Sequence, residues 1–145
     1  MPTISALQKA RAAYQPKLPP VLAKCGPFAT ASKGAKTQSV ADQAKIAKMF
    51  PNTYGMPVIE FTAGKKGKSA PITAGVILSG GQAPGGHNVI AGIFDGLKAF
   101  HPKSKLLGFL GGPSGLVDCK YKDLTSTVID AYRNTGGFDM IGSGR

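Results

Sequence analysis

Acidic residues are scarce in this sequence: seven Asp and Glu stand against eighteen Lys and Arg, a formal net charge of +11. That imbalance argues against acidic tails, calcium cages and a self-sufficient pair of catalytic carboxylates, and it favours an anionic partner. Cysteine is nearly absent as well. Cys25 and Cys119 are too few for a disulfide framework, and neither has a second Cys or His at metal-ligand spacing. They read as free thiols of a reducing compartment, the cytoplasm. No apolar run approaches the roughly 20 residues that span a bilayer, and Met1-Pro2-Thr3-Ile4 lacks the hydrophobic block of a signal peptide. The chain therefore reads as soluble and unexported, with no membrane partner. Its 145 residues, 42% hydrophobic, suffice for one modest core and hardly for two.

Charge and glycine divide the chain near Lys65-Lys66-Gly67-Lys68-Ser69. Residues 1–70 hold eleven Lys and Arg and two acids, residues 71–145 seven and five, so the excess is +9 before Pro71 and +2 after it. Glycine runs the other way, five before Pro71 and fifteen after it. The sequence thus predicts a basic leader with short helices over 1–70 and a glycine-punctuated globular part over 71–145. In the leader, residues 4–14 suit a short helix ended by the prolines Pro16, Pro19 and Pro20. Ser39 is placed to cap a helix over 40–50 closed by Pro51. The stretch 25–38 reads as irregular chain, and Met56-Pro57-Val58-Ile59-Glu60-Phe61 as the start of an edge strand. With few core signals, the leader is expected to wrap over the sheet domain or a partner subunit.

The second half alternates strand and helix signals. Residues 72–78 (Ile-Thr-Ala-Gly-Val-Ile-Leu) form a bounded apolar run of the kind that fills a parallel strand buried on both faces. After Ser79-Gly80-Gly81-Gln82-Ala83-Pro84-Gly85-Gly86, the residues Val89, Ile90, Ile93, Phe94 and Leu97 fall at helical spacing, so His87 or Asn88 opens a helix reaching Phe100. Residues 106–110 make the next strand and run into Gly111-Gly112-Pro113-Ser114-Gly115. Thr125 or Ser126 caps a helix over 128–133, broken at Gly136-Gly137. The first two strands should lie parallel, joined by a crossover through the helix between them.

A strand that runs into glycines and then a helix N-terminus gathers backbone N–H groups and a positive dipole end, which suits a phosphate. A tight turn is the plainer reading of one glycine pair. Two pairs flanking Pro84, between a buried-type strand and an amphipathic helix, make phosphate binding an equal contender. The loop lacks the Gly-Lys-Ser/Thr of a Walker A motif and the spacing of G-x-G-x-x-G. His87 is more simply a residue that opens the helix and orients backbone through its ring N–H than a general base, and His101 a surface helix-end residue. Lys65, Lys66 and Lys68 read as a solvated linker, and Phe50 and Tyr54 as packing anchors.

Leu78-Ser79-Gly80-Gly81-Gln82-Ala83-Pro84-Gly85-Gly86-His87-Asn88-Val89-Ile90 resembles the first phosphate loop of the phosphofructokinase superfamily. Its Gln82 and Gly85-Gly86-His87-Asn88 are similar to the long pyrophosphate-dependent enzymes. Tyr14-Gln15-Pro16-Lys17-Leu18-Pro19, Thr37-Gln38-Ser39-Val40-Ala41-Asp42, Phe50-Pro51-Asn52-Thr53-Tyr54-Gly55-Met56-Pro57, Gly111-Gly112-Pro113-Ser114-Gly115 and Tyr132-Arg133-Asn134-Thr135-Gly136-Gly137-Phe138-Asp139-Met140-Ile141 resemble that family's N-terminal region in order.

The resemblance implies an α/β fold with a Rossmann-like parallel sheet and flanking helices. It implies phosphorylation of fructose 6-phosphate by pyrophosphate, with the donor phosphate bound at Gly80 and Gly81, Gly85 and Gly86 completing the loop, and Arg145 contacting the transferring phosphoryl group. A planar guanidinium suits that task, because phosphoryl transfer depends on positioning and charge stabilisation. Mg²⁺ is implied too, its ligands and the catalytic aspartate being expected outside these 145 residues, so that the chain alone would be inactive. A cytoplasmic homo-oligomer, or a hetero-oligomer with a related subunit, is the implied assembly. Two alternatives stand beside this reading. A non-catalytic regulatory subunit of the family would keep the fold but degrade the loop and the arginine. A nucleic-acid-binding module is suggested by charge alone, and the lysines lack interleaved aromatics, so no nucleic-acid partner is expected.

Overall fold

The computed structural model describes residues 4–145; Met1, Pro2 and Thr3, part of the stretch read against a signal peptide, lie outside the described residues. In chain order the elements are α1 (Ala6–Ala13), α2 (Pro20–Cys25), β1 (Ala29–Lys36), α3 (Gln43–Met49), β2 (Pro57–Ala63), β3 (Thr73–Val76), α4 (Gly86–Phe100), β4 (Lys105–Phe109), α5 (Pro113–Val117), β5 (Tyr121–Asp123) and α6 (Ser126–Tyr132). They form two compact units, one of Leu18–Gly67 and one of residues 4–17 with Lys68–Arg145. No helix among the described residues is long and apolar enough to cross a membrane.

In the unit Leu18–Gly67, β1 and β2 pair as an antiparallel ribbon, from Ala29 opposite Ala63 to Lys36 opposite Pro57, with the register shifting between Lys33 and Lys36. The expected edge strand after Met56 is present as β2. Its partner β1 replaces the irregular chain expected over 25–38. Small residues without apolar alternation carry little strand signal of their own, and the ladder to β2 supplies what propensity does not. The helix expected from Ser39 starts later: Asp42, at φ +52°, precedes α3, and Val40 is fully exposed outside it. Ser39 Oγ shares a 3.4 Å hydrogen bond with Tyr54 Oη instead of capping. Tyr54 is half-buried, but Phe50 is exposed and does not anchor packing.

The other unit opens on α1, which Ser5 starts with a reciprocal cap: Ser5 Oγ accepts the Gln8 N–H and Gln8 Oε1 accepts the Ser5 N–H. β3 and β4 pair in parallel, Thr73 opposite Lys105 through Val76 opposite Gly108, with α4 between them in sequence, as expected. β5 joins the far edge of β4 antiparallel, giving a mixed sheet in the order β3-β4-β5. The α/β class expected from the sequence is the one observed. The sequence signals point to no element at β5 or at the five-residue α5, which begins on Pro113.

His87, Ile90, Ala91 and Phe94 are the buried residues of α4, at the i, i+3, i+4, i+7 spacing of one helix face, while Val89 and Ile93 point outward. Ile90, Ala91 and Phe94 join Val76, Leu106, Leu124, Ile129, Met140 and Ile141 in one core. Ile90 and Ile129 are fully buried, each contributing about 1.5–3 kcal/mol relative to exposure. The core covers one face of β3 only. Ala74 and Val76 turn toward it, whereas Thr73 and Gly75 are exposed, so the strand is not buried on both faces as its apolar run suggested.

Candidate functional site

β3 and β4 are parallel, so their carboxyl ends emerge side by side, and the two glycine loops that follow them meet there. Residues 141–144 are hydrogen-bonded to both loops. Gly144 donates to the Leu78 carbonyl at 3.3 Å and accepts from the Gly80 N–H at 2.8 Å, while Gly111 donates to the Ile141 carbonyl at 2.8 Å. Ser79 and Gly144 form a parallel bridge. Backbones this close leave no room for side chains: a Cβ on Gly112 would strike the Gly144 backbone, and one on Gly144 would strike the Gly111 carbonyl. This approach explains Gly112 and Gly144, whereas Gly111 and Gly142 have room for a Cβ and instead adopt positive φ, +71° and +67°.

The same stretch holds the far end of the first loop. Gly85 donates to the Gly136 carbonyl, and the His87 N–H donates to the Gly137 carbonyl at 2.7 Å. Residues 136–144 thus fasten both ends of the loop from Gly80 to His87. Between those ends Gly81, Gln82 and Ala83 are exposed. The Gly81 N–H has no hydrogen-bond partner among the described residues, and a Cβ built on Gly81 meets nothing within 4 Å.

The five residues singled out in the sequence therefore divide. Gly80, Gly81 and Arg145 come together, because Arg145 follows the residue bridged to Ser79. Gly85, at φ +96°, is the N-cap of α4, and its amide is spent on Gly136. Gly86 packs closely, a Cβ there reaching Leu78, Phe138 and the Gly137 carbonyl. The Gly80 amide is also engaged, so Gly81 carries the open glycine amide at the near end of the loop; the amides of Gln82 and Ala83 beside it likewise have no partner among the described residues. Arg145 is exposed and forms no ion pair with the described residues.

His87 is 2% exposed and both ring nitrogens are committed. Nε2 accepts the Met140 N–H at 2.9 Å. Nδ1 lies 2.6 Å from Thr135 Oγ1, whose own hydroxyl donates to the Tyr132 carbonyl at 2.6 Å. The chain of donors fixes the neutral tautomer with the proton on Nδ1. Burial lowers the His87 pKa, and Asp139, with Oδ1 3.1 Å from Nε2, pulls it up. Asp139 is 77% exposed, so water screens its charge and the neutral ring prevails. The Tyr132 ring meets the imidazole edge-on at 4.7 Å, and Gly137 leaves the space that the imidazole occupies. His87 does orient backbone, but not through its ring N–H as expected: Nε2 accepts the Met140 N–H, while the Nδ1 proton goes to the Thr135 hydroxyl. Its partners Thr135, Asp139 and Met140, about fifty residues on, carry no signal by which spacing alone would pair them with His87.

Two further ties brace this region. Arg133 makes a two-pronged ion pair with Asp95 of α4, at 2.8 and 3.0 Å, and a 3.1 Å bond to Asp130. The hydrogen bond to Asp95 is the main cause that raises the Arg133 pKa. The Asn134 side-chain amide donates to the carbonyls of Arg11 and Tyr14, both at 2.9 Å, and so caps the C-terminal end of α1. His101 is the C-cap of α4 and half-buried, with Nδ1 accepting the Lys103 N–H. Cys25 and Cys119 are free thiols. Among the described residues no three His, Cys, Asp or Glu side chains converge on one point.

No protein-family model matches the chain. It is 56% identical over 142 residues to a pyrophosphate–fructose 6-phosphate 1-phosphotransferase of Porphyromonas gingivalis, covering 97% of this chain and 25% of that protein. The protein of the same name from Treponema pallidum (strain Nichols) is 46% identical over 153 residues, 99% of this chain and 27% of its own length. The beta subunit from Ricinus communis is 44% identical over 144 residues, 97% and 26% respectively. The chain spans about a quarter of the length of the curated relatives it matches. Over nearly all of its own length it is homologous to a segment of these proteins, and it belongs to the pyrophosphate-dependent phosphofructokinase family.

Proposed function

We propose that the protein transfers a phosphoryl group reversibly from pyrophosphate to the 1-hydroxyl of fructose 6-phosphate, and that this chain supplies the part that binds the donor. The P–O bond to the leaving phosphate breaks, a new P–O bond forms to the sugar oxygen, and the hydroxyl proton leaves. The products are fructose 1,6-bisphosphate and orthophosphate. The Gly80-Gly81 turn receives the donor phosphate through the Gly81 amide, with Gly80 tied to Gly144 holding the turn in place, Gly85 and Gly86 shape the far side of the loop, and Arg145 stabilises charge on the phosphoryl group in transit. One observation carries this reading: the Gly144 bridge puts Arg145 next to a loop whose Gly81 amide is open and whose glycine leaves space for a ligand.

The names of the relatives support the substrates. Mg²⁺ belongs to the same reading, where it would neutralise phosphate charge. Its ligands would come from outside these residues. A cytoplasmic enzyme that assembles with copies of itself or with a related subunit completes the proposal, as does a division into a basic leader over 1–70 and the α/β part over 71–145. The test is Gly81→Val in the full-length protein. The side chain would fill the space left for the donor and raise the pyrophosphate KM tenfold or more, on the order of 1.4 kcal/mol, without lowering thermal stability. An unchanged KM would count against the loop.

A further inference from the structure

We propose that His87 and Thr135 are positioning residues for the anion loop: the imidazole, held between the Thr135 hydroxyl and the Met140 amide, locks the first turn of α4 to the segment that ends at Arg145. The inference rests on the donor-binding reading above and deepens it. Three bonds run from His87 to this segment, through its backbone N–H to Gly137, Nδ1 to Thr135 and Nε2 to Met140. Beyond Met140 the segment bonds to the second loop at Gly111 and returns to the first at Gly80. A shift at Thr135 or Met140 is therefore transmitted to Gly144, and with it to the spacing between the Gly81 amide and Arg145.

Neither ring nitrogen is free to exchange a proton with a substrate, which leaves His87 without a catalytic task. A buried imidazole stripped of one partner would leave a polar atom unsatisfied and would drive the segment to rearrange. The charged and titratable groups that face the ring are Asp139 and the Tyr132 ring. If Nε2 takes a proton it can no longer accept the Met140 N–H, and turns to Asp139 instead.

Thr135→Val and Thr135→Ser in the full-length protein test the proposal. Thr135→Val should raise the pyrophosphate KM about tenfold, while Thr135→Ser, which keeps the hydroxyl, should stay within about twofold of the parent. Nitrogen-15 spectra of the His87 ring should show the Nδ1–H tautomer in the parent and in Thr135→Ser, and its loss in Thr135→Val. An unchanged tautomer and KM in Thr135→Val would overturn the proposal. Should that variant fail to fold, the parent supplies a second measurement. As pH falls and the His87 ring titrates, the amides of Met140, Gly144 and Gly81 should shift with the same midpoint; a response confined to Met140 would also overturn it. This coupling is read without ligand. Failure of pyrophosphate to perturb the Gly81 amide would instead count against the donor-binding reading.

Discussion

Gly144 grips the loop after β3 around Ser79, donating to the carbonyl of Leu78 and accepting the amide of Gly80. The junction tolerates no side chain. Gly144→Ala would press a methyl group into the Gly111 carbonyl, part the two loops and cost about 1–3 kcal/mol in stability. Gly81→Ala, whose added methyl meets open space, should leave the melting temperature unchanged. Thermal unfolding of the two variants side by side checks the contrast, and equal stability would refute the packing account.

Stability should fall as the medium is acidified from neutral. Burial holds the folded His87 pKa below its ordinary value of 6.5, so the unfolded chain takes up a proton first. The contribution from this residue is complete above about 6.5 and is lost as pH falls toward the folded pKa. A His87→Gln variant should show a flatter pH dependence of unfolding in that window. Identical slopes for variant and parent would contradict this.

Asn134 can be isolated from its backbone strain. It sits at φ +60°, a conformation glycine adopts freely, so Asn134→Gly removes only the side-chain bonds to Arg11 and Tyr14. α1 buries none of its residues. Its amides should therefore exchange with deuterium at least about tenfold faster in the variant, while those of α4 are unchanged. Equal protection of α1 would show that other contacts hold it.

Arg133→Ala should lower stability by about 1–2 kcal/mol, since the two-pronged bond to Asp95 is lost but Asp95 and Asp130 are more than half exposed and partly screened. Urea unfolding checks the value. No loss at all would place the pair among ion pairs without net effect.

The periodic parts of this fold were legible in the sequence. The apolar spacing along α4 and the runs before the two glycine loops gave the parallel β3–β4 pair, and Thr125 caps α6 as its position suggested. β1 was not legible, because Ala29–Lys36 takes its conformation from β2 and not from its own side chains. Ser39 misled because its hydroxyl found Tyr54, a partner that local rules do not see. Within the site, composition placed the glycines at one loop but did not divide their roles. Gly81 faces open space, Gly85 and Gly86 serve the helix start, and Gly112 and Gly144 allow the backbones to touch. Those distinctions, like the partners of His87, arise from segments far apart in the chain.

Steady-state kinetics of Arg145→Ala in the full-length protein test the central claim most directly. If the arginine acts on the phosphoryl group in transit, kcat should drop on the order of 100-fold or more, the scale of a lost charge-stabilising contact, with a smaller change in the pyrophosphate KM. The 145-residue chain alone should show no turnover. An Arg145→Ala protein with unchanged kcat, or turnover by the chain alone, would contradict the assignment.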